Sequence, residues 1–353
     1  GGLGAMDLTK FFDDSEKKWK YWAKPPQTSS ESKSIKDGTI KEFAGHRDRV
    51  RSVGWNCHGD KMATGSSDKM VKLWKVTSTQ AVSELKGHTD AVWKLAWNPT
   101  HPEQLASAAK DSTVRIWDTR LRKCAHKIDV GGSNINCSWS SQGNYVAVAN
   151  MKDVVSVIDI RNSTKIMKNM KFKFMVHSMS WDKSEKYFLI TTGNGTVDIL
   201  SFPSMTPVHI LEAHTGHCHC HDMDRGGKLL VTGGGDALVQ LWDTSEMACL
   251  RSFERLESAV RSVSISHDSK YVASACFNDV PTASFDDGFQ GNPESRIDIS
   301  ETKTGHSVRT EILNVDIVDV EWSPVKNLLL VGGLSLSSSS RNNGVVSLIG
   351  SSK

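Results

Sequence analysis

The chain has 353 residues, of which 38% are hydrophobic and 24% are charged, and its formal net charge is +3. This composition can supply a sizeable hydrophobic core, and so small a net charge does not support binding of nucleic acid or membranes through bulk electrostatics. No apolar run approaches the roughly 18 residues of a transmembrane helix, and no signal peptide is recognised. Seven irregularly spaced cysteines indicate reduced thiols and an intracellular compartment.

The N-terminal segment differs in composition from the rest of the chain. Its opening letters, GGLGAM, resemble the remnant of a purification tag, and an aromatic-rich stretch follows. Exposed aromatic side chains need a surface to cover them, so we expect this tail to contact the folded domain or a partner, with Trp19, Tyr21 and Trp22 as candidate partner-binding residues. We assign residues 1–38 to a tag remnant, an aromatic tail and a linker, and residues 39–353 to the folded domain.

A repeat begins at Val50. The segments VRSVGW, VWKLAW, NINCSW, VHSMSW, CHCHDM, VRSVSI and IVDVEW align, and the interval between their last residues is 42 five times and then 57. Each unit contains four short apolar-rich runs separated by turn residues, which is typical of a β-propeller blade of about 40–45 residues. The repeat therefore predicts an all-β protein, a propeller with seven blades. The last residues of the aligned segments are Trp55, Trp97, Trp139, Trp181, Met223, Ile265 and Trp322.

The seventh unit lacks a fourth strand at its C-terminal end. TIKEFAGH at residues 39–46 matches AVSELKGH at residues 81–88, which supplies the fourth strand of the first unit. We therefore expect the N-terminal strand to complete the last blade. Closing the ring in this way removes an open sheet edge.

Three units carry a polar quartet at matching positions. Thr or Ser precedes Asp by four positions, and Asp precedes Trp by six. A hydroxyl, an imidazole, a carboxylate and an indole N–H can satisfy one another inside a blade, as buried polar groups must. A Ser/His/Asp trio also fits a protease, but its threefold recurrence favours a structural role. The quartets are His46, Thr64, Asp68 and Trp74; His88, Ser107, Asp111 and Trp117; and His214, Thr232, Asp236 and Trp242.

The segment HTGHCHCH at residues 214–221 suggests a metal site by composition alone. The repeat register places Cys218 and His221 at packed positions and places His217, Cys220 and His219 off that register, so the side chains divide between the two faces of one strand. One metal ion cannot gather ligands from both faces, and a structural zinc needs four. We therefore expect neither a metal nor a cofactor here.

The position of His219 recurs in every unit, near the start of the first strand. First strands surround the central channel of a propeller, so this position is expected to form a ring near the channel mouth with a mildly positive charge. A solvated ring and a site for an acidic peptide or a phosphate both fit. The ring contains Ile135 and Val318 together with the candidate partner-binding residues Arg51, Trp93, His177, His219 and Arg261.

Two stretches interrupt the repeat between second and third strands, at residues 277–296 in unit 6 and residues 334–344 in unit 7. Both are expected on the same face of the ring. The first carries Phe285 and Phe289 among acidic residues. Aromatic side chains in an acidic loop suggest a partner contact, and a disordered insertion fits equally well.

The units without a quartet carry a resemblance to a known family. SNINCSWSSQGNYVAVANMKDVVSVIDI and TTGNGTVDILSFPSMTPVHILEAH resemble the WD-repeat third subunit of the THO complex, and the resemblance runs from about Ala44 to the end of the chain. It implies a non-catalytic WD-repeat propeller in the nucleus, an adaptor in messenger-RNA packaging and export. The implied partners are the large scaffold subunit and the other THO subunits, with an RNA helicase and messenger RNA reached through the complex, and no membrane or small-molecule substrate.

Other functional classes remain open on the sequence. LASAAKDSTVRIWDTR at residues 105–120 fits the Trp-Asp-x-Arg pattern of substrate receptors for cullin-4 ubiquitin ligases, with Arg120 as the docking residue. Direct RNA binding is a third class, which the net charge of +3 argues against. Neither a phosphate loop nor a CxxC motif is present, so an enzyme is not expected.

Overall fold

The structure is a computed structural model that describes residue 35 and residues 38–161, 164–276, 295–336 and 343–350. The described part of the chain forms 28 β-strands, arranged as seven antiparallel sheets of four strands each. Sequential strands pair within each sheet, as short turns between apolar runs dictate. The prediction of an all-β, seven-bladed propeller is confirmed. None of the described residues belongs to a helix long and apolar enough to cross a membrane.

The strands follow the repeat of the sequence. Blades 1 and 2 are β2 (Val50–Trp55), β3 (Lys61–Ser66), β4 (Val71–Lys75), β5 (Ser83–Leu85), and β6 (Val92–Trp97), β7 (Gln104–Ala109), β8 (Thr113–Asp118), β9 (Lys123–Asp129). Blades 3 and 4 are β10 (Asn134–Trp139), β11 (Tyr145–Asn150), β12 (Val154–Asp159), β13 (Lys165–Lys171), and β14 (Val176–Trp181), β15 (Tyr187–Thr192), β16 (Thr196–Ser201), β17 (Pro207–Glu212). Blades 5 and 6 are β18 (Cys218–Met223), β19 (Leu229–Gly234), β20 (Val239–Asp243), β21 (Ala248–Phe253), and β22 (Val260–Ile265), β23 (Tyr271–Cys276), β24 (Ser295–Glu301), β25 (Ser307–Leu313). Blade 7 is β26 (Val315–Trp322), β27 (Leu328–Ser335), β28 (Gly344–Gly350) and β1 (Thr39–His46).

The ring closes through β1, as predicted. This strand pairs antiparallel with β28, so that Phe43 lies opposite Val346 and Glu42 opposite Ser347. Phe43 is buried with Val50 and Val53 of blade 1. The N-terminal strand therefore completes the sheet of blade 7 and also packs against blade 1.

Three of the repeated tryptophans of the first strands join neighbouring blades by hydrogen bonds. The indole N–H of Trp97 donates to the carbonyl of Gly54 at 3.1 Å, and that of Trp139 donates to the carbonyl of Ala96 at 2.9 Å. Across the closure, the indole of Trp55 donates to the carbonyl of Glu321 at 3.2 Å. Each of these residues fills the space between two sheets and satisfies a backbone acceptor there, which gives the 42-residue period a physical basis.

Candidate functional site: the channel mouth and the upper face

The loops that join second to third strands and the connections into the first strands emerge on one face of the ring, which we call the upper face. The central channel has a volume of about 630 Å³, and its wall includes the predicted ring residues. The lower face carries the remaining loops.

A β-bulge at the start of every first strand places the ring residues. In blade 1, Val50 pairs with Ser66 and Ser52 pairs with Gly65, which leaves Arg51 without a partner residue in the ladder. A bulged residue bends its strand and redirects its own side chain, here toward the channel. The other bulged residues are Trp93, Ile135, His177, His219, Arg261 and Val318.

Arg51 and Trp93 form one side of the channel mouth. The Arg51 guanidinium carbon lies 4.2 Å from the centroid of the Trp93 ring, and Nε of Arg51 donates to Oγ of Ser67 at 2.8 Å. Burial and the neighbouring charge of Arg49 lower the pKa of Arg51, which still remains a cation at neutral pH. Stacking on an indole holds the guanidinium in one orientation, so the charge is positioned for an anionic group at the mouth.

Three histidines form the opposite side. The His177 ring lies 4.9 Å from His219 and 5.4 Å from His217, measured between centroids, and Nε2 of His177 lies 3.3 Å from Nδ1 of His217. Burial and the neighbouring imidazole lower the pKa of His177 to about 4, and burial lowers the pKa of His219 to about 4. These imidazoles are therefore neutral at pH 7, and the positive charge of the ring comes from its arginines.

The side chains of the HTGHCHCH segment lie in separate environments. Cys218 packs with residues of blade 4, and His221 is buried with Nε2 lying 2.6 Å from Oγ of Ser180. The interpretation of Cys220 as lying off the packed register was wrong, because the bulge at His219 shifts the strand and Cys220 packs against Val260 of blade 6. Among the described residues, no group of three or more His, Cys, Asp or Glu side chains could hold a metal ion.

All twelve quartet residues are brought together in the predicted sets. In blade 2, Nε1 of Trp117 donates to Oγ of Ser107 at 2.8 Å, Ser107 lies 2.7 Å from Nε2 of His88, and Nδ1 of His88 lies 2.9 Å from Asp111. The other two sets match: His46 contacts Thr64 and Asp68 at 2.7 and 2.8 Å, His214 contacts Thr232 and Asp236 at 2.8 and 2.9 Å, and Trp74 and Trp242 donate to the hydroxyls at 2.8 and 3.1 Å.

The electrostatics of a quartet favour a structural role. Burial would raise the pKa of Asp111, but hydrogen bonds from the Thr89 amide, Thr113 and His88 bring it to about 2. Burial lowers the pKa of His88, although Asp111 opposes this shift. Ser107 is fully buried, so its hydroxyl cannot meet a substrate. The network joins the connection before β6 to the interior of the sheet.

A charged cluster in the channel wall was not predicted from the sequence. Nζ of Lys94 donates to the Asp319 carboxylate at 2.9 Å, and the same carboxylate accepts the Val53 amide at 3.1 Å. Burial and the charge of Asp319 raise the pKa of Glu321 to about 8. A signal was present in the sequence, because Lys94 and Asp319 stand at the aligned position of Ser52, and Glu321 stands at that of Gly54.

The remaining predicted site residues belong to the tail, the blade 6 insertion and the cullin-4 motif. Trp19, Tyr21, Trp22, Phe285 and Phe289 lie outside the described residues. Arg120 lies on the lower face, with 73% of its side chain exposed and Nη2 located 3.9 Å from Asp118.

The chain is similar to a repeat family and to individual WD-repeat proteins. The WD domain, G-beta repeat family matches residues 37–75, 79–118, 205–243 and 247–280. THO complex subunit 3 of Arabidopsis thaliana is 38% identical over 297 residues, which cover 83% of this chain and 89% of that protein. WD repeat-containing protein AAC3 of Dictyostelium discoideum is 28% identical over 67% of this chain and 55% of that protein.

A solved structure shares the fold. The β-propeller domain of Cps50 (Swd1) from Myceliophteria thermophila superposes with a TM-score of 0.72, covering 89% of this chain and 100% of that domain, at 16% sequence identity. At this identity the similarity shows the propeller architecture alone. The propeller and the similarity to a THO subunit together indicate a non-enzymatic protein.

Proposed function

The chain belongs to the family of THO complex subunit 3, and on that premise we propose that it is a non-catalytic adaptor of a THO-like complex in the packaging and nuclear export of messenger RNA. Its direct partners are the large scaffold subunit and other THO subunits. An RNA helicase and the transcript are reached through the complex, and the protein acts in the nucleus.

The extent of the similarity carries this proposal. The four generic WD segments cover less than half of the chain, whereas the alignment with the Arabidopsis THO subunit spans 297 residues. The alignment is therefore too long for generic propeller features alone, and it must include sequence from blades that lack the WD signature. Blades of that kind distinguish one propeller family from another, since their residues are not dictated by the shared architecture.

The channel mouth is the proposed partner surface within the described residues. Arg51 and Arg261 supply charge, and Trp93, His177 and His219 supply planar groups at the same rim. Aromatic residues and arginine contribute disproportionately to binding energy at protein interfaces. We propose the same role for Trp19, Tyr21 and Trp22 in the tail and for Phe285 and Phe289 in the blade 6 insertion, on their composition.

Affinity purification from nuclear extract tests the proposal. Tagged full-length chain should recover THO subunits, identified by mass spectrometry. Arg51→Glu with Arg261→Glu should reduce their recovery about tenfold or more at an unchanged melting temperature. Lys123→Glu, a charge reversal on the outer strand of blade 2, is the matched control. Recovery of no THO subunit by the unaltered chain would refute the proposal.

The cullin-4 alternative is tested in the same purification. Arg120 is exposed in the turn after β8, so it is accessible for docking. Arg120→Ala should leave the recovery of THO subunits unchanged. If the unaltered chain recovers a cullin-4 adaptor and Arg120→Ala loses it, the substrate-receptor function is correct instead.

A further inference from the structure

The exposed apolar side chains of the upper face converge on one place. Ten large hydrophobic residues of the described chain are exposed, and seven of them lie on outer strands or on the lower face. The other three are Met151, which is 58% exposed in the turn after β11, and Phe174 and Met175, which are 44% and 51% exposed in the connection from β13 to β14. A solvent-exposed cluster of this kind marks an interaction site more often than an isolated apolar residue does.

Contacts within the structure hold these segments together. Nζ of Lys171 donates to the carbonyl of Lys152, next to Met151, and lies 3.7 Å from Asp153. The Phe172 amide donates to the carbonyl of Asp153 at 2.9 Å, which ties the β13 connection to the same turn. The turn and the connection therefore present Met151, Phe174 and Met175 as one surface, the blade 3–4 patch.

The patch continues to the channel mouth. The Gly193 amide donates to the carbonyl of Met175 at 2.9 Å. A Cβ atom built on Gly193 would lie 3.2 Å from Nδ1 of His217 and 3.3 Å from Cβ of Met175, so the glycine sits between the patch and the histidines. His177 and His219, whose pKa values are lowered to about 4, are neutral at pH 7 and lie at the mouth end of this surface.

Two exposed lysines border the patch. Lys152 follows Met151 and Lys173 precedes Phe174, whereas Lys171 is paired with Asp153 and Lys165 lies at the opposite end of β13. The corresponding connections in other blades differ: residues 86–91 are polar apart from the buried Ala91, and residues 254–259 bury their one large apolar side chain, Leu256. Exposed apolar groups flanked by Lys152 and Lys173 complement a ligand with apolar anchors and acidic flanks.

We propose that the blade 3–4 patch docks an acidic segment of a protein partner that carries spaced apolar side chains. Methionine is flexible and polarisable, so Met151 and Met175 can adapt to aliphatic or aromatic anchors beside Phe174. Single-stranded RNA fits less well, because two of the three exposed groups lack a flat face for base stacking. Lys168 also already donates to the Ser204 carbonyl. The inference does not depend on which complex contains the chain.

Fluorescence anisotropy with defined probes tests the patch on the full-length chain. The probe is a fluorescein-labelled peptide that repeats Glu-Leu-Asp-Phe three times. Comparison probes replace its acidic residues by Lys or its apolar residues by Ser, and a labelled oligouridylate represents RNA. The acidic apolar peptide should bind, and both altered peptides should bind at least about tenfold more weakly. Phe174→Ser with Met175→Ser should weaken binding about tenfold, and Lys152→Glu with Lys173→Glu should do the same.

The control is Leu121→Ser, which changes a residue that is 58% exposed on the lower face and should leave the affinity unchanged. Thermal melting of every variant keeps a folding defect from being mistaken for lost docking. The proposal is overturned if the peptide does not bind, or if neither pair of patch substitutions weakens its binding. Tighter binding of oligouridylate that depends on Phe174 assigns the patch to RNA instead. Self-association of the chain that Phe174→Ser abolishes assigns it to a second copy, and either result also overturns the proposal.

Discussion

Blades 2 and 3 are neighbours with the same four-strand architecture but opposite interior chemistry. In blade 2, Ser107 and Trp117 belong to a hydrogen-bonded quartet that His88 and Asp111 complete. In blade 3 the same positions of the paired strands hold Val148 and Ile158, which are buried in an apolar cluster. The blades reach one backbone arrangement by two routes, hydrogen bonding and packing.

The other two quartet positions of blade 2 are also replaced in blade 3. The place of Asp111 in blade 2 is taken in blade 3 by Lys152, which is exposed, and the place of His88 is taken by Val130. A buried hydrogen-bonding group that loses one partner destabilises the fold by the desolvation of the group left behind, whereas replacing all partners by apolar groups can be nearly neutral. This asymmetry explains why blade 3 lacks the hydroxyl, the imidazole, the carboxylate and the indole together.

The quartet also distinguishes the blades that match the WD family from a blade that does not. Three of the four segments that match the WD family, 37–75, 79–118 and 205–243, end in the quartet strands β4, β8 and β20. Blade 3 falls outside these matches and supplies part of the exposed blade 3–4 patch. The blades with a quartet follow the common WD pattern, and blade 3, which lacks a quartet, contributes to the exposed patch.

Removal of β1 should have the largest effect, because this strand serves both kinds of blade. It pairs with β28 in the apolar blade 7 and carries His46 of the first quartet at its end. Deletion of residues 1–44 should unfold or aggregate the protein by exposing the edge of β28. Deletion of residues 1–34 retains Ile35, whose carbonyl accepts a hydrogen bond from Arg309 at 2.8 Å, and should leave folding intact. Equal melting temperatures for the two deletions would contradict the closure.

Truncation in the apolar blade should have the next largest effect. Ile158 is fully buried at the position of Trp117. Ile158→Ala should lower the free energy of unfolding by about 2–5 kcal/mol through lost burial and a residual cavity. Urea denaturation measures the change. A loss below that of the quartet variant described next would mean that blade 3 does not depend on packing in this way.

Breaking one member of a quartet should have a smaller effect. Asp111→Ala leaves His88 without its acceptor and should lower the free energy of unfolding by about 1–3 kcal/mol. Lys152→Ala is the matched control at the equivalent position of blade 3, and its exposed side chain predicts a change within about 0.5 kcal/mol. Asp236→Ala should behave as Asp111→Ala does. A stability loss in the lysine variant equal to that in the aspartate variant would remove the distinction between the blades.

Acid should have the smallest effect, which acts through the histidines of the channel mouth. The folded-state pKa values of His177 and His219 are lowered to about 4 from the ordinary value of 6.5. Folding therefore favours their neutral forms, so the stability that they contribute is present above pH 6.5 and is lost as the pH falls toward 4. The melting temperature should drop between pH 7 and pH 4.5, and His177→Gln with His219→Gln should reduce the drop. An unchanged pH profile would count against these pKa values.

The repeat allowed most of the architecture to be predicted from the sequence. Blade number, strand boundaries and the three quartets depend on residues at constant intervals, which local pattern preserves. The assignment of Cys220 failed because strict alternation of side chains assumes an unbroken ladder, and the bulge at His219 breaks it. The Lys94 and Asp319 pair was not predicted, because the two residues lie 225 positions apart and meet only when the ring closes beside blade 1.

The sequence by itself determined that seven similar units must close into a ring, since each unit is too small to bury its own apolar faces and the matching N-terminal strand completes the last one. Only the tertiary structure decided which side chains reach the channel and which exposed residues form a common surface. Met151 lies in the turn after β11 and Met175 in the connection from β13 to β14, and their joint surface exists because hydrogen bonds of Lys171 and Gly193 hold two turns and this connection at fixed positions. Proximity between loops depends on how whole sheets pack, and no local pattern encodes it.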